Sequence, residues 1–227
     1  MLVEPEQDPR RLALDQAVVE AVRARLAAGP RPSVDAEALA LRALLADVPA
    51  AQRPAVRAVL GRIEAASAPR LATCGPLSQM LASDRWGLCH APVAEPDQAL
   101  QLARQGGRAL IDLSAARPWW GRLLALPMLK VIAALPDDFA GQPRALLVST
   151  EAPGPTGDDR TFWVTDSGLP DDRIAQALAD QGLYASPLTA GGGLKLFVLA
   201  GYVQAQDPRL SAAPGQLTGV IGAAPVY

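Results

Sequence analysis

Residues 157–203 read GDDRTFWVTDSGLPDDRIAQALADQGLYASPLTAGGGLKLFVLAGYV. Asp158 and Asp159 make a turn, and Arg160 and Thr161 enter an aromatic, apolar strand, RTFWVTD. Pro170-Asp171 opens a helix, PDDRIAQALADQG, that Gly182 closes. LYASPLT is a second strand. The three glycines 191–193 precede another strand, not a helix N-terminus, so they form a hairpin turn and not a phosphate loop. LKLFVLAGYV is the third strand. A strand-helix-strand-strand order implies α/β or α+β packing for this part of the chain.

Upstream the pattern differs. DPRRLALDQAVVEAVRARLAA (8–28) is a helix with Asp8 as N-cap and Pro9 at its first position. Leu14, Val18, Val22 and Leu26 recur every four residues and form one apolar stripe. GPRPS breaks the chain, and Ser33 or Asp35 caps a second helix, VDAEALALRALLADV, ending near Pro49. QRPAVRAVLGRIEAAS is a third helix with Val56, Val59, Leu60 and Ile63 on one face. About 70 residues thus hold three helices and no strand. Beyond them, WGLCHAPV and RALIDLS are strands flanking the helix EPDQALQLARQGG, which carries Asp97 in its first turn and ends at Gly106. WWGRLLAL is a short helix whose Trp119–Trp120 pair belongs to the core. LKVIAALP and RALLVST are strands joined by the turn DDFAGQP. EAPGPTGDD is a loop, and TGVIGAAPVY a last strand.

Half of the 227 residues are apolar, enough for a substantial core, and the formal net charge is −2. No general field draws such a chain to nucleic acid or anionic lipid. The polar, acidic start and the lack of an apolar run of about 20 residues point to a soluble cytoplasmic protein with no membrane partner. Cys74 and Cys89 make neither a disulfide framework nor a zinc pattern. A single histidine, His90, removes Ser-His-Asp and multi-histidine metal sites and reads as a strand-end residue.

Taken in order, these pieces resemble the chorismate mutase/prephenate dehydratase lineage of aromatic amino-acid biosynthesis, in the form of an all-helical mutase segment fused to a shortened dehydratase-like part. LDQAVVEAVRAR resembles the first mutase helix, RPSVDAEALALRALL the entry to the second, and VLGRIEAAS the third. EPDQALQLARQGGRALIDL resembles a dehydratase helix-strand segment at the lobe boundary, and GDDRTFWV the Thr-Arg-Phe strand. Residues 167–203 follow the order of an ACT-like regulatory unit. The resemblance implies an α+β protein with a three-helix mutase-like arm over 1–70 and an α/β part over 71–227. The latter divides into a periplasmic-binding-lobe-like segment, 71–155, and an ACT-like unit, 156–227.

Mutase chemistry rearranges a dianion without nucleophile, metal or cofactor. It needs cations for two carboxylates and one at the ether oxygen, where charge develops. The resemblance assigns ligand binding to Arg11, Arg25, Asp35, Arg42 and Ser67, and a dehydratase remnant to Arg160, Thr161 and Phe162. The family lysine has no counterpart before Lys130, and Leu71 stands where a glutamine belongs. The order Arg160-Thr161 inverts the dehydratase pair, and period-2 geometry then reverses which group faces a cleft. Three readings follow: a binding or regulatory protein with weakened or lost catalysis; an active mutase using Arg11, Arg25, Arg42 and Arg57; or a dimerising interaction module with no small-molecule ligand. Chorismate, prephenate or an aromatic amino acid are the implied ligands, and a homodimer through the helical arm the implied assembly.

Overall fold

A computed structural model describes residues 8–29, 33–115, 117–138 and 141–227. The acidic start, most of the break at 29–33 and part of the turn at 137–143 lie outside the described residues. The chain is a mixed α/β protein built on one nine-stranded sheet, in the order β2-β1-β3-β5-β4-β9-β6-β8-β7.

Three helices come first: α1 (Pro9–Ala28), α2 (Val34–Leu45) and α3 (Arg53–Ala65). Asp8 caps α1 by accepting from the Arg10 amide at 2.9 Å, and Ser33 caps α2. Leu14, Ala17, Val18 and Ala21 of α1 pack with Leu41, Leu45, Val56 and Leu60. The expected stripe Leu14-Val18-Val22-Leu26 is only half buried, and Leu26 is 64% exposed. The reason is geometric: a four-residue step overshoots a 3.6-residue turn by about 40°, so three steps carry the stripe off the core face.

The strands are β1 (Leu71–Cys74), β2 (His90–Val93), β3 (Arg108–Asp112), β4 (Lys130–Leu135), β5 (Ala145–Ser149), β6 (Asp159–Thr165), β7 (Ala185–Gly191), β8 (Leu194–Ala200) and β9 (Thr218–Pro225). Three further helices are α4 (Pro76–Trp86), α5 (Pro96–Arg104) and α6 (Asp171–Ala179), with 3₁₀ turns at Trp119–Ala125 and Pro208–Ala212. β1 and α4 are absent from the sequence reading, which passed from Pro69 to WGLCHAPV. β1 has only four residues, and the Gly75-Pro76 pair after it looks like a break although Pro76 in fact starts the helix.

β2, β1 and β3 run parallel, and β5 turns the sheet antiparallel. Alternation along β3 sends Ala109 and Ile111 toward α5 and the Trp119–Trp120 turn, and Leu110 toward α4. Both tryptophans are core residues, as expected. In the second half β6 lies between β9 and β8, with β7 outside β8, and every pairing is antiparallel. That is the strand order of a split βαβ arrangement, with α6 burying Ile174 and Leu178 against Trp163, Phe197 and Leu199. Gly192 and Gly193, both at positive φ, form the β7–β8 hairpin turn that the sequence implies.

The two halves meet where β9 lies parallel to β4 at Val131 and Gly222. Gly222 sits at φ 145°, and a Cβ there would come within 2.3 Å of the Val131 carbonyl oxygen. Segments 71–155 and 156–227 therefore contribute five and four strands to one sheet and share one core cluster, which runs from Ala72 to Ala224. The arm closes over the α4 face. Gly61 lets α3 cross α4, since a Cβ there would lie 1.9 Å from the Arg85 carbonyl oxygen.

Candidate functional site

A cavity of about 330 Å³ lies between the arm and the sheet. Its apolar wall is Val34, Ala38 and Leu41 of α2, Trp86 of α4, and Ile132, Leu135 and Leu147 of the sheet. Its charged groups come from five elements and from the segments after β4 and β5: Arg25, Glu37, Glu64, Arg85, Arg108, Asp137 and Glu151. Among the described residues each cation there has a carboxylate partner. Arg108, the first residue of β3, donates through Nη1 to Glu64 at 3.0 Å and through Nε to Glu151 at 3.1 Å. Glu64 also accepts from the Trp86 indole at 3.2 Å. Arg25 Nε lies 3.0 Å from Glu37 Oε1 without hydrogen-bond alignment, while its Nη1 donates to the Gly29 carbonyl at 2.6 Å. Asp137 pairs with Arg57 and, at 3.7 Å, with Arg85. Burial, then the neighbouring Arg85, lowers the Arg57 guanidinium to about 10.

The end of the cavity is closed by Pro225 and Tyr227. The Tyr227 amide donates to the Asp137 carbonyl at 2.9 Å, and its ring lies under the Arg57 and Arg42 guanidinium groups at 5.4 and 5.9 Å. Burial holds the Tyr227 phenol up at about 12 against the pull of Arg85.

Of the residues assigned from the sequence, Arg25 and Ser67 line this cavity, and the Ser67 hydroxyl donates to the Glu64 carbonyl at 3.3 Å. Asp35 does not: it packs against Gly154, where a Cβ would lie 2.9 Å from its Oδ2. Arg42 fastens the arm to the loop before β6 and to the residue after β9. It donates to the Thr156 carbonyl, to Thr156 Oγ1 at 3.2 Å, to the Asp158 carbonyl at 3.1 Å and to the Val226 carbonyl at 2.9 Å. Arg11 lies on the exposed surface of α1. Arg25, Asp35 and Ser67 therefore do not converge on a single cavity.

The Arg160-Thr161-Phe162 trio is divided between faces. Phe162 is core, and the Thr161 hydroxyl donates to the Gly201 carbonyl at 2.7 Å and accepts from the Val203 amide at 2.9 Å. Arg160 donates to the Asp138 carbonyl at 3.0 Å and lines a separate, more open cavity with Tyr184 and Ser186. Thr161 thus joins β6 to the segment after β8, and its hydroxyl is committed to backbone.

His90 opens β2 and is held on both sides, by Thr73 Oγ1 at 3.0 Å from Nδ1 and by Ser83 Oγ at 2.9 Å from Nε2. Ser83 also donates to the Gln79 carbonyl at 2.8 Å, which assigns the ring proton to Nε2. The ring Nε2–H thus points at Ser83 Oγ, whose own proton is directed at backbone, and the trio ties the edge strand to β1 and α4. Among the described residues no group of three or more His, Cys, Asp or Glu could hold a metal ion, and no helix is long and apolar enough to cross a membrane.

Sequence reasoning missed Glu64, Arg85, Trp86, Arg108, Asp137, Glu151 and Tyr227 as a set. Arg108 alone carried a signal, as a charge at the mouth of an apolar strand. The rest are joined only by the arm folding back onto the sheet.

No family model matches the chain, and no curated protein matches it. Two solved structures do. One is the quorum-quenching acylase GqqA, at 13% identity and TM-score 0.45, covering 69% of this chain and 95% of that one. The other is prephenate dehydratase from Arthrobacter aurescens in complex with L-Phe, at 13% identity and TM-score 0.41, covering 69% of this chain and 89% of that one. At these values the likeness carries no functional conclusion, and the site stands on its own geometry.

Proposed function

We propose that this chain is a binding or regulatory protein of aromatic amino-acid metabolism, with mutase and dehydratase catalysis weakened or lost, and that its arm-to-sheet cavity takes an aromatic amino acid. The observation that carries this reading is the pairing of charges in the cavity. Among the described residues, Arg25, Arg85 and Arg108 face Glu37, Glu64, Asp137 and Glu151, an excess of one carboxylate. Even with Arg57 behind Asp137 the charges only balance. Among the described residues a dianion such as chorismate or prephenate finds no free cation there and meets carboxylates in a low-dielectric space. A zwitterion suits the same walls. Its carboxylate can share an arginine, its ammonium a glutamate, and its ring the surface formed by Trp86, Ile132 and Leu147. The volume lies at the lower end of small-molecule sites.

Thermal unfolding with phenylalanine, tyrosine and tryptophan, against chorismate and prephenate, tests this. At a hundredfold excess over Kd a ligand adds about 2.7 kcal/mol, or about 5–10 °C for a chain of this size. The expected result is a shift with one of the amino acids and none with the dianions. Arg108→Ala abolishes the shift, and it costs about 1–2 kcal/mol of stability because Glu64 and Glu151 lose their cation while keeping partial solvent access. Rearrangement of chorismate by purified protein, lost in Arg25→Ala, would replace this reading with the active mutase. Absence of any shift would leave the interaction module. Dimerisation through the helical arm belongs to all three readings.

A further inference from the structure

One face of the sheet is covered in two pieces. Val131 of β4 and Phe162 of β6 turn to the large shared core, so their neighbours Ile132 and Trp163 turn to the opposite face. There Ile132, Leu135 and Leu147 lie under α4, and Trp163, Leu199 and Val203 pack with α6. Between these covers β4 and β9 meet at one paired position, Val131 with Gly222. A cavity of about 280 Å³ opens at that join, with Val203 and Val220 on its apolar side and Pro153 and Tyr202 in its walls. The walls are pinned. The Tyr202 hydroxyl donates to the Pro153 carbonyl at 2.9 Å, and the Val203 amide donates to the buried Thr161 hydroxyl at 2.9 Å. A ligand therefore finds this space already formed.

Lys130, the first residue of β4, is the one charged group among the described residues that line it. Alternation along β4 puts Lys130 on the side of Ile132. The residue is half-buried, and among the described residues its ammonium has neither a carboxylate nor a hydrogen-bond acceptor. The chain's other lysine behaves differently: Lys195 Nζ donates to Asp171 Oδ1 at 2.8 Å. Gln204 and Gln206, both exposed, border the cavity and can offer amide donors beside Lys130.

We propose that this cavity binds a small monocarboxylate with an apolar body, the carboxylate paired with Lys130 and the body set against Val203 and Val220. Charge selects the class. An amino acid would bring its ammonium into a space whose charge is already positive, and inorganic phosphate would leave the apolar side unfilled. The proposal goes beyond the amino-acid reading of the arm-to-sheet cavity and does not rest on it. With one ion pair and a volume just under the usual range for small-molecule sites, the affinity is expected to be about millimolar.

Isotopic dimethylation of the two lysines keeps their charge and gives each its own NMR signal, which Lys130→Met assigns. Phenylacetate and isovalerate are expected to move the Lys130 signal saturably and to leave the Lys195 signal in place. Phenylacetamide, inorganic phosphate and phenylalanine are expected to leave both in place. Calorimetry on unmodified protein should show binding of phenylacetate weakened about tenfold or more in Lys130→Met and largely kept in Lys130→Arg. Gln204→Glu, at an exposed position, sets a competing carboxylate at the cavity and is expected to weaken binding severalfold. Absence of a saturable shift with either acid would overturn the proposal. So would an equal response to phenylacetamide or phenylalanine, movement of both lysine signals together, or undiminished binding in Lys130→Met. None of these outcomes alters the thermal shift expected with amino acids, so the two ideas can fail separately.

Discussion

Asp112 closes β3 at the point where α4 begins. Its carboxylate accepts from the Leu77 amide at 3.2 Å, while Oδ1 finds no protein donor and the residue is 2% exposed. Helix N-termini in doubly wound sheets are ready anion sites, and here the chain fills one with its own side chain. Burial raises the Asp112 carboxyl above its ordinary range, against the opposing amides of Ser78 and Leu77 and the charge of Arg144. The sign follows from linkage. A carboxyl whose pKa is raised on folding contributes most below its unfolded value, about 3.9, and that contribution is lost as pH climbs through the folded value. Asp112→Asn keeps an acceptor for the Leu77 amide and does not titrate. Urea midpoints taken from acid to neutral pH should therefore show the variant gaining on wild type through that window and holding its advantage above it. A difference independent of pH would remove Asp112 from the account. Nothing in the run RALIDLS marks this aspartate as buried: its neighbour across the turn, Gly75, is 37 positions away in sequence.

At the scale of elements, the joint between β4 and β9 is the most exposed to a single change. Gly222 approaches the Val131 backbone so closely that a Cβ would stand 2.3 Å from its oxygen and 2.4 Å from its nitrogen. Backbone cannot yield as a flexible side-chain tip can, and φ 145° adds strain for any L residue. Gly222→Ala is expected to cost about 3 kcal/mol or more, read by chemical denaturation. A loss under about 1 kcal/mol would mean that the halves are joined by the shared core and not by this contact. The elements differ in how legible they were. α5, α6 and the β7–β8 hairpin announced themselves through periodicity, capping and glycine placement, which act over a few residues. α4 did not, because its Gly75-Pro76 start looks like a simple break and the four residues of β1 are too few for a pattern.

For the molecule as a whole, the decisive contact is the one that folds the arm onto the sheet. Arg42 spans it, reaching Thr156, Asp158 and Val226 with one guanidinium. Tyr227 sits beneath it among Arg57, Arg85 and Asp137. Arg42→Ala removes the donors and leaves the Thr156 and Val226 carbonyls seeking others, while the Asp158 carbonyl keeps the Val226 amide, at a cost of about 2–4 kcal/mol. Because the arm has its own small core and the sheet a separate large one, the loss should be local. Hydrogen exchange is expected to quicken in α2 and the loop before β6, and to remain slow in β3, β5 and β6. Uniform acceleration across the sheet would show that the arm and sheet unfold as one unit. Since the candidate cavity lies between them, the same variant is expected to weaken ligand binding.

The sequence by itself determined the helical arm, most of the strands, the hairpin glycines and the burial of the tryptophan pair. Each follows from signals that act within one element: spacing of apolar residues, caps, and backbone freedom at glycine. Tertiary structure alone decided that both α/β segments enter one sheet, that Asp35 and Arg42 serve packing and not the cavity, and that each cavity arginine is neutralised. Those outcomes depend on residues as far apart as Arg42 and Val226, whose meeting is governed by the packing of whole faces and leaves no local pattern in the chain.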